Sequence, residues 1–277
     1  MAAVLQAQSK SRERIFAANR AVGRIELTVK AHDGVSRRAH VREEGSLRVR
    51  FPGSGALEAV IVNTAGGIAG GDRFGLDVAV GACASLTVTG AAAEKVYRSL
   101  GPDAEIAIKL DVRAGATLAW LPQETILFDR VRLHRAIDID LALDASLLLV
   151  EAIVFGRSAM GEVVEEGRLF DRWRVRRDGR LVFAETVRLD GAISRKLAAP
   201  AVAAGGVAMA TVLMVPGDEA KVATIRALEN LAGEVGVSTW NGIAVARLCA
   251  KDGAALRRDL VAVLTALGTP LPRLWLN

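Results

Sequence analysis

The feature that most limits how this chain can fold is an apolar alternation of period two that stops at a tight, small-residue turn and then starts again, several times over. Leu76, Val78 and Val80 alternate up to Gly81-Ala82, after which Leu86 and Val88 resume the pattern. Ile106, Ile108, Leu110 and Val112 run to Ala114-Gly115-Ala116 and then Leu118. Ile137, Ile139, Leu141 and Leu143 run to Asp144-Ala145, followed by Leu147, Leu148, Leu149 and Val150. Trp173 and Val175 lead to Asp178-Gly179, followed by Leu181 and Phe183. Alternation of this kind puts successive side chains on opposite faces of a strand, and each unit reads as a strand, a turn and a second strand in the manner of a β-hairpin. The leucines after the turns, Leu86, Leu118, Leu147 and Leu181, stand 32, 29 and 34 residues apart. A near-regular period of that size predicts stacked units sharing one core, with an ordinary sandwich of hairpins as the plainer alternative.

The last quarter changes character. Val222, Ile225, Leu228 and Ala232 share a helical face behind Asp218 as N-cap, and Gly233 supplies a stop, which predicts a helix near 218–233. Residues 235–248 read as a strand pair turning at Asn241-Gly242, a type I′ signal. After Asp252, Leu256, Leu260, Val263, Leu264 and Leu267 line one side of a helix near 253–267, ended by Gly268 and Pro270. Two such helices cover a sheet or face a partner, and covering is the commoner arrangement. The predicted fold class is therefore mainly β, a solenoid-like stack of β-hairpins with two C-terminal α-helices. Residues 20–277 read as one β-rich domain behind a flexible extension over 1–19.

Several function classes fall away on composition. Residues 197–217 carry no charge and are long enough to cross a bilayer, but Pro200, Gly205 and Gly206 interrupt them. Only 207–215 is strongly apolar, which predicts a turn between two buried strands. At the N-terminus Lys10, Arg12 and Arg14 follow the apolar start, the reverse of a signal peptide. Cys83 and Cys249 form no CxxC pair, so a reducing, cytoplasmic setting is expected. His32, His40 and His134 are too scattered to write a zinc motif. The net charge is +5, but aromatics make up only 4% and acids lie among the bases, which disfavours a nucleic-acid surface. The densest basic stretch, Arg172, Arg174, Arg176, Arg177 and Arg180, reads as a solvated strand face. A basic nucleic-acid-binding β protein, whose binding would fall steeply with salt, remains one alternative.

The most distinctive segment is Asn63-Thr64-Ala65-Gly66-Gly67-Ile68-Ala69-Gly70-Gly71-Asp72. It lacks the Gly-Lys-Ser/Thr of a phosphate loop and is followed by a strand pattern rather than a helix. Its glycines are expected to permit positive φ in a tight crossover, with Asp72 bonding to the backbone. No GxSxG elbow exists and no histidine adjoins a nucleophile, so a β-rich enzyme of unknown chemistry is a second alternative, to be recognised by turnover with the purified chain. Glu94, Glu124, Glu151 and Glu185 follow the four turns at unequal offsets, which argues against a regular ladder. Glu151 is the only charge within 145–156. Such a carboxylate is either paired with an arginine in the core or lines a polar passage that hands on a hard or borderline cation.

These segments together resemble a known family. Gly66-Gly67-Ile68-Ala69-Gly70-Gly71-Asp72 is similar to the Gly-Gly-x-x-Gly-Gly-Asp signature of the UreD (also called UreH) urease accessory proteins. The likeness continues through Thr89…Lys95-Val96-Tyr97-Arg98-Ser99, Leu121-Pro122-Gln123-Glu124-Thr125-Ile126-Leu127-Phe128, Glu151…Phe155-Gly156-Arg157 and Pro272-Arg273-Leu274-Trp275. It departs at Thr64-Ala65, where prolines or Ser-Ala are frequent, and His32 and His40 fall outside its motifs. The resemblance implies a β-solenoid-like body with two helices and a maturation factor that is not an enzyme. It implies action with UreF and UreG, and with UreE as nickel carrier, on apo-urease subunits, with GTP hydrolysis left to UreG. It implies no tightly bound cofactor and transient Ni²⁺ at most, along a path proposed for the family. Asp72 and Glu151 match acidic positions of the family motifs and, with Glu124 and Glu185, are the candidate path residues.

Overall fold

The structure, a computed structural model, describes residues 20–53 and 55–276, so the extension assigned to 1–19 lies outside the described residues. A hairpin of β1 (Val22–His32) and β2 (Val35–Gly45) is followed by the short pair β3 (Leu47–Arg50) and β4 (Glu58–Asn63). The chain then winds in coils. β5 (Arg73–Val80) lies in a first sheet, β6 (Ser85–Gly90) in a second, and the short β7 (Glu94–Val96) turns the corner back. β8 (Ala104–Val112), β9 (Thr117–Leu121) and β10 (Thr125–Leu127) repeat that circuit, and β11 (Val131–Leu141) and β12 (Ser146–Phe155) begin another. β13 (Glu166–Arg177) and β14 (Arg180–Ala192) close the first sheet. A short helix α1 (Ile193–Leu197) leads to β15 (Ala208–Val215), α2 (Glu219–Arg226), β16 (Glu234–Trp240), β17 (Ile243–Ala250) and α3 (Gly253–Ala266).

The expected solenoid is present. Coils stack in parallel and in register, so Leu86 lies beside Leu118 and Leu118 beside Leu147. The units themselves differ from hairpins in one respect: β5 and β6, β8 and β9, and β11 and β12 do not pair with each other. Each turn carries the chain across the core, so that Leu76, Val78 and Val80 face Leu86 and Val88 from opposite sheets, all buried. Alternation is the same in a hairpin and in such an arch; what differs is whether the turn reverses the chain within a sheet or between two. Asp178 and Gly179, at φ 49° and 74°, do make a true hairpin, and it pairs β13 with β14. Leu181 is accordingly 54% exposed and stands outside the leucine stack.

The C-terminal segment builds a third layer. β15 and the β16–β17 hairpin, turned at Asn241 and Gly242 with φ 50° and 75°, extend the second sheet antiparallel beyond β12. The outer face of that sheet, including Val150, Val212 and Leu248, is covered by α2 and α3 through Val222, Ile225, Leu256, Leu260, Val263 and Leu264. Asp252 caps α3 by accepting the Ala255 N–H at 2.7 Å, and Asp218 caps α2 through Lys221 N–H at 2.8 Å. The first helix is shorter than expected. It ends at Arg226, because Asn230 takes a left-handed φ of 58° and the Asp259 carboxylate accepts the N–H groups of Ala232 and Gly233 at 2.8 and 2.7 Å. Residues 197–217 hold the expected turn and one buried strand, β15, but the element before the turn is the short helix α1 rather than a second buried strand, and among the described residues no helix is long and apolar enough to cross a membrane.

Leu260 is fully buried between α3 and the sheet, so this helix face belongs to the core. Leu260→Ala is expected to cost about 2–5 kcal/mol in urea denaturation, the usual range for a buried leucine, and Leu260→Asp to leave the chain unfolded. A folded Leu260→Asp chain would contradict this.

Candidate functional site

The family-like segments converge on one corner of the solenoid. Ile68 pairs with Val96 at that corner, through Ile68 N–H to Lys95 O at 2.7 Å and Tyr97 N–H to Ile68 O at 2.8 Å. The Tyr97 hydroxyl donates to Gly66 O at 2.8 Å. Gly67 has φ 140°, and a Cβ there would lie 2.5 Å from the Tyr97 ring; one at Gly70 would lie 2.0 Å from Ser99 Oγ. The glycines therefore let the crossover sit directly on the Tyr97–Ser99 segment. Gly71, with φ 89°, fits against Pro102, while a Cβ at Gly66 would meet open space. Tyr97 packs edge-on against Phe128 at 5.0 Å, and the Arg157 guanidinium lies 4.1 Å over the Phe128 ring. Lys95 is exposed and Arg98 bridges to Val131. The two remaining motif pieces, far apart in sequence, also meet: Gln123 Nε2 donates to Leu274 O at 3.0 Å and Trp275 Nε1 to Leu121 O at 3.0 Å.

Behind this corner the sandwich holds two cavities. The first, about 360 Å³, runs from Asn63, Gly67 and Glu94 inward past Thr89 and Gln123 to Trp120. The second, about 270 Å³, lies between β13–β14 and β15–β17 and is lined by Asp171, Trp173, Glu185, Thr211 and Arg247. Arg135 and Glu151 line both. Arg135, from the first sheet, donates through Nε to Asp171 Oδ1 at 3.0 Å and through Nη2 to Oδ2 at 2.6 Å, and its Nη1 donates to Glu151 Oε2. Trp120 Nε1 donates to the other Glu151 oxygen at 2.9 Å, and Trp173 Nε1 to Asp171 Oδ1 at 3.1 Å. All three charged side chains are at least 95% buried. The wall between the cavities is thus one guanidinium held by two carboxylates, with a formal surplus of one negative charge.

Electrostatics follow from that geometry. Burial pushes the Glu151 carboxyl above its ordinary value, Arg135 offsets this and Asp171 adds to it. Burial alone would lower Arg135, but Asp171 and Glu151 outweigh it and hold the guanidinium charged. At the outer end of the first cavity, burial raises Glu94 to about 7 against the hydrogen bond it accepts from Asn63 Nδ2 at 3.2 Å. Thr89 Oγ1, a residue of the same cavity wall, is buried with no hydrogen-bond partner among the described residues.

The four candidate carboxylates separate. Glu151 lies at the centre and Glu185 at the far end, where it takes Arg247 at 2.7 and 3.1 Å and so ties β14 to β17 across the mouth of the second cavity. Asp72 lines neither cavity; its carboxylate accepts the Ala21 and Ala69 N–H groups at 2.8 and 2.7 Å and clasps the glycine crossover. Glu124 also lies outside both, bound to Arg257 of α3 at 2.6 Å. Sequence reasoning left Arg135 and Asp171 unnamed because each looks like an ordinary strand charge. Their signal was phase: both stand at inward positions of alternating strands, where a charge must find a partner. His32, His40 and His134 line neither of these cavities, and among the described residues no three His, Cys, Asp or Glu side chains converge as a metal cage. The arginine run on β13 is interleaved with acids of β11, with Asp138 opposite Arg174, Asp140 opposite Arg176, and Arg172 paired to Asp138 at 2.7 Å.

Comparison with known proteins agrees with the motif reading. The sequence profile described as UreD urease accessory protein matches residues 21–276. The chain is 59% identical over 279 residues to urease accessory protein UreD of Rhodopseudomonas palustris strain HaA2, covering 99% of this chain and 100% of that protein. It is 61% identical over 267 residues to UreD 3 of Bradyrhizobium sp. strain BTAi1, covering 95% and 96%, and 61% identical over 266 residues to UreD of Bradyrhizobium diazoefficiens, covering 95% and 96%.

Asp72→Ala would orphan two backbone N–H groups and is expected to cost about 1–3 kcal/mol in denaturant unfolding; an unchanged midpoint would show that the clasp contributes nothing. Glu94 binds its proton more tightly folded than unfolded, so its contribution to stability falls as pH rises from about 4.5 through about 7. Glu94→Gln is expected to flatten that part of the stability–pH curve, measured as urea midpoints across this range; an identical slope would contradict the assignment.

Proposed function

Because this chain belongs to the UreD family of urease accessory proteins, we propose that it is a cytoplasmic maturation scaffold without an active site of its own. It binds UreF, UreG and the apo-urease subunits, and Ni²⁺ supplied by UreE passes through its sandwich to urease. The observation that carries the passage is the pair of cavities meeting at Glu151, Arg135 and Asp171.

A divalent ion in a dry core is costly unless negative oxygens meet it. Glu94 and Glu151 supply such oxygens along the first cavity, and Asp171 and Glu185 along the second. Carboxylates hold Ni²⁺ less tightly than imidazole or thiolate sites, which suits a route rather than a store. Arg135 stands between two of them as a resident monocation. In this reading the incoming ion takes its place between Glu151 and Asp171 while the guanidinium swings aside, so the wall opens to a cation and stays shut otherwise.

Urease subunits co-expressed with UreE, UreF and UreG in nickel medium are expected to gain activity only when this chain is present. Equal activity without it would remove the accessory role. For the passage, Glu151→Gln is the cleaner variant, since it keeps the shape and the Trp120 contact, whereas Glu151→Ala would leave Arg135 Nη1 and Trp120 Nε1 buried without their acceptor, at a cost of about 1–3 kcal/mol each. The Gln chain should still form its partner complex while purified urease carries less nickel by metal analysis. Full nickel content would retire the passage through Glu151.

A further inference from the structure

The second cavity holds a set of donors that the carboxylate route does not use. In the antiparallel ladder of the second sheet, Met209 of β15 stands directly opposite Cys249 of β17, and Cys249 directly opposite Glu234 of β16. Directly opposed residues project to the same face, with Cβ atoms about 4.5–5.5 Å apart, so a thioether, a thiol and a carboxylate form one row with the thiol in the middle. All three line the second cavity, on the same face as the neighbouring row of Glu151, Thr211 and Arg247. Among the described residues, Cys249 and Met209 are the only sulphur-bearing ones lining either of these cavities. Cys249 is held at this place from behind: its Sγ lies 3.7 Å from Ala203 O, and a Cβ on Gly206 would come within 2.5 Å of it.

We propose that Met209, Cys249 and Glu234 form a coordination row that binds a late first-row divalent cation at the outer end of the second cavity and discriminates against Mg²⁺ and Ca²⁺. The chemistry is that of ligand softness. Thiolate and thioether favour late transition ions over hard ones, which carboxylates alone do not refuse. The central thiol can be reached from both sides by the flexible Met209 and Glu234 side chains. Three protein donors leave coordination positions open for water or for a ligand on another protein. Binding forms a metal–sulphur bond as the thiol proton leaves to water, with no change of oxidation state. Burial first, and the Glu234 carboxylate second, push the Cys249 thiol above its ordinary value, so binding releases a proton and weakens as pH falls. As an account of how the passage selects its ion, the row rests on the function proposed above; as a metal site on this chain, it stands alone.

The test is a titration of the purified full-length chain with Ni²⁺ alone, followed by near-UV absorption, which reports a metal–thiolate bond and is blind to imidazole or carboxylate binding. The wild-type chain and Cys83→Ser are expected to show a thiolate-to-nickel band, and Cys249→Ser to lose it. Met209→Leu and Glu234→Gln, which keep side-chain size, are expected to need more Ni²⁺ to reach the same band, and Mg²⁺ to leave the titration unchanged. No band in wild type, a band that survives in Cys249→Ser, or one that disappears in Cys83→Ser would overturn the row. Nickel loading of urease by Glu151→Gln is read separately. A missing band with impaired loading sinks the row and leaves the passage; a band with normal loading does the reverse.

Discussion

Two sheets can lie face to face only where the space between them is dry or its charges cancel, and Arg135 is where this protein meets that condition. Around it, inward positions of the coils are filled mainly by valine, leucine and isoleucine, with leucines of successive coils stacked in register. At the centre, Glu151 from one sheet and Asp171 from the neighbouring strand of the other both end on one guanidinium; the Trp120 indole N–H takes the remaining Glu151 oxygen, and the Trp173 N–H shares Asp171 Oδ1 with Arg135. A buried ion cluster of this kind is a poor device for stability, since well-packed apolar residues of the same volume do as well or better. Its retention inside an otherwise apolar stack is what gives the interior a polar centre, and both cavities end there.

The family-like motifs, by contrast, serve architecture. The glycine crossover, Tyr97, Phe128 and Arg157 stack down one corner and set the spacing of successive coils. The Gln123-Glu124 and Leu274-Trp275 segments pin α3 to the second sheet through Arg257 and Trp275. Gly66 and Gly67 of that crossover also line the first cavity.

Much of this was legible in the chain itself. Period-two alternation gave the strands, the leucine spacing gave the first three stacked coils, and Asp252 with its leucine face gave the last helix to within a residue or two. The hairpin-or-arch distinction was not legible, because inward-facing residues alternate identically in both and only the turn decides. The end of the first helix was hidden as well: Leu228 and Ala232 keep helical phase, but a carboxylate from Asp259 claims the backbone there. Of the site, Glu151 was visible as a lone charge in an apolar run. Its two readings, buried ion pair and lining of a passage, are not exclusive in this geometry, since the pair is the wall between two cavities. Asp72 and Glu124 carried a family-motif signal without lining either cavity, because a motif marks what a fold needs as readily as what a function needs.

The central claim is that nickel travels through the sandwich, and steric closure tests it most directly. Thr211 lines the second cavity directly opposite Glu151 in the ladder, and Thr211→Phe fills that space while leaving the three charges of the centre in place. The decisive measurement is the nickel content of urease matured in cells with the Thr211→Phe chain, with the partner complex shown intact. The account predicts a complex that assembles and a urease poor in nickel. Urease with its full complement of nickel would contradict it and place the route elsewhere.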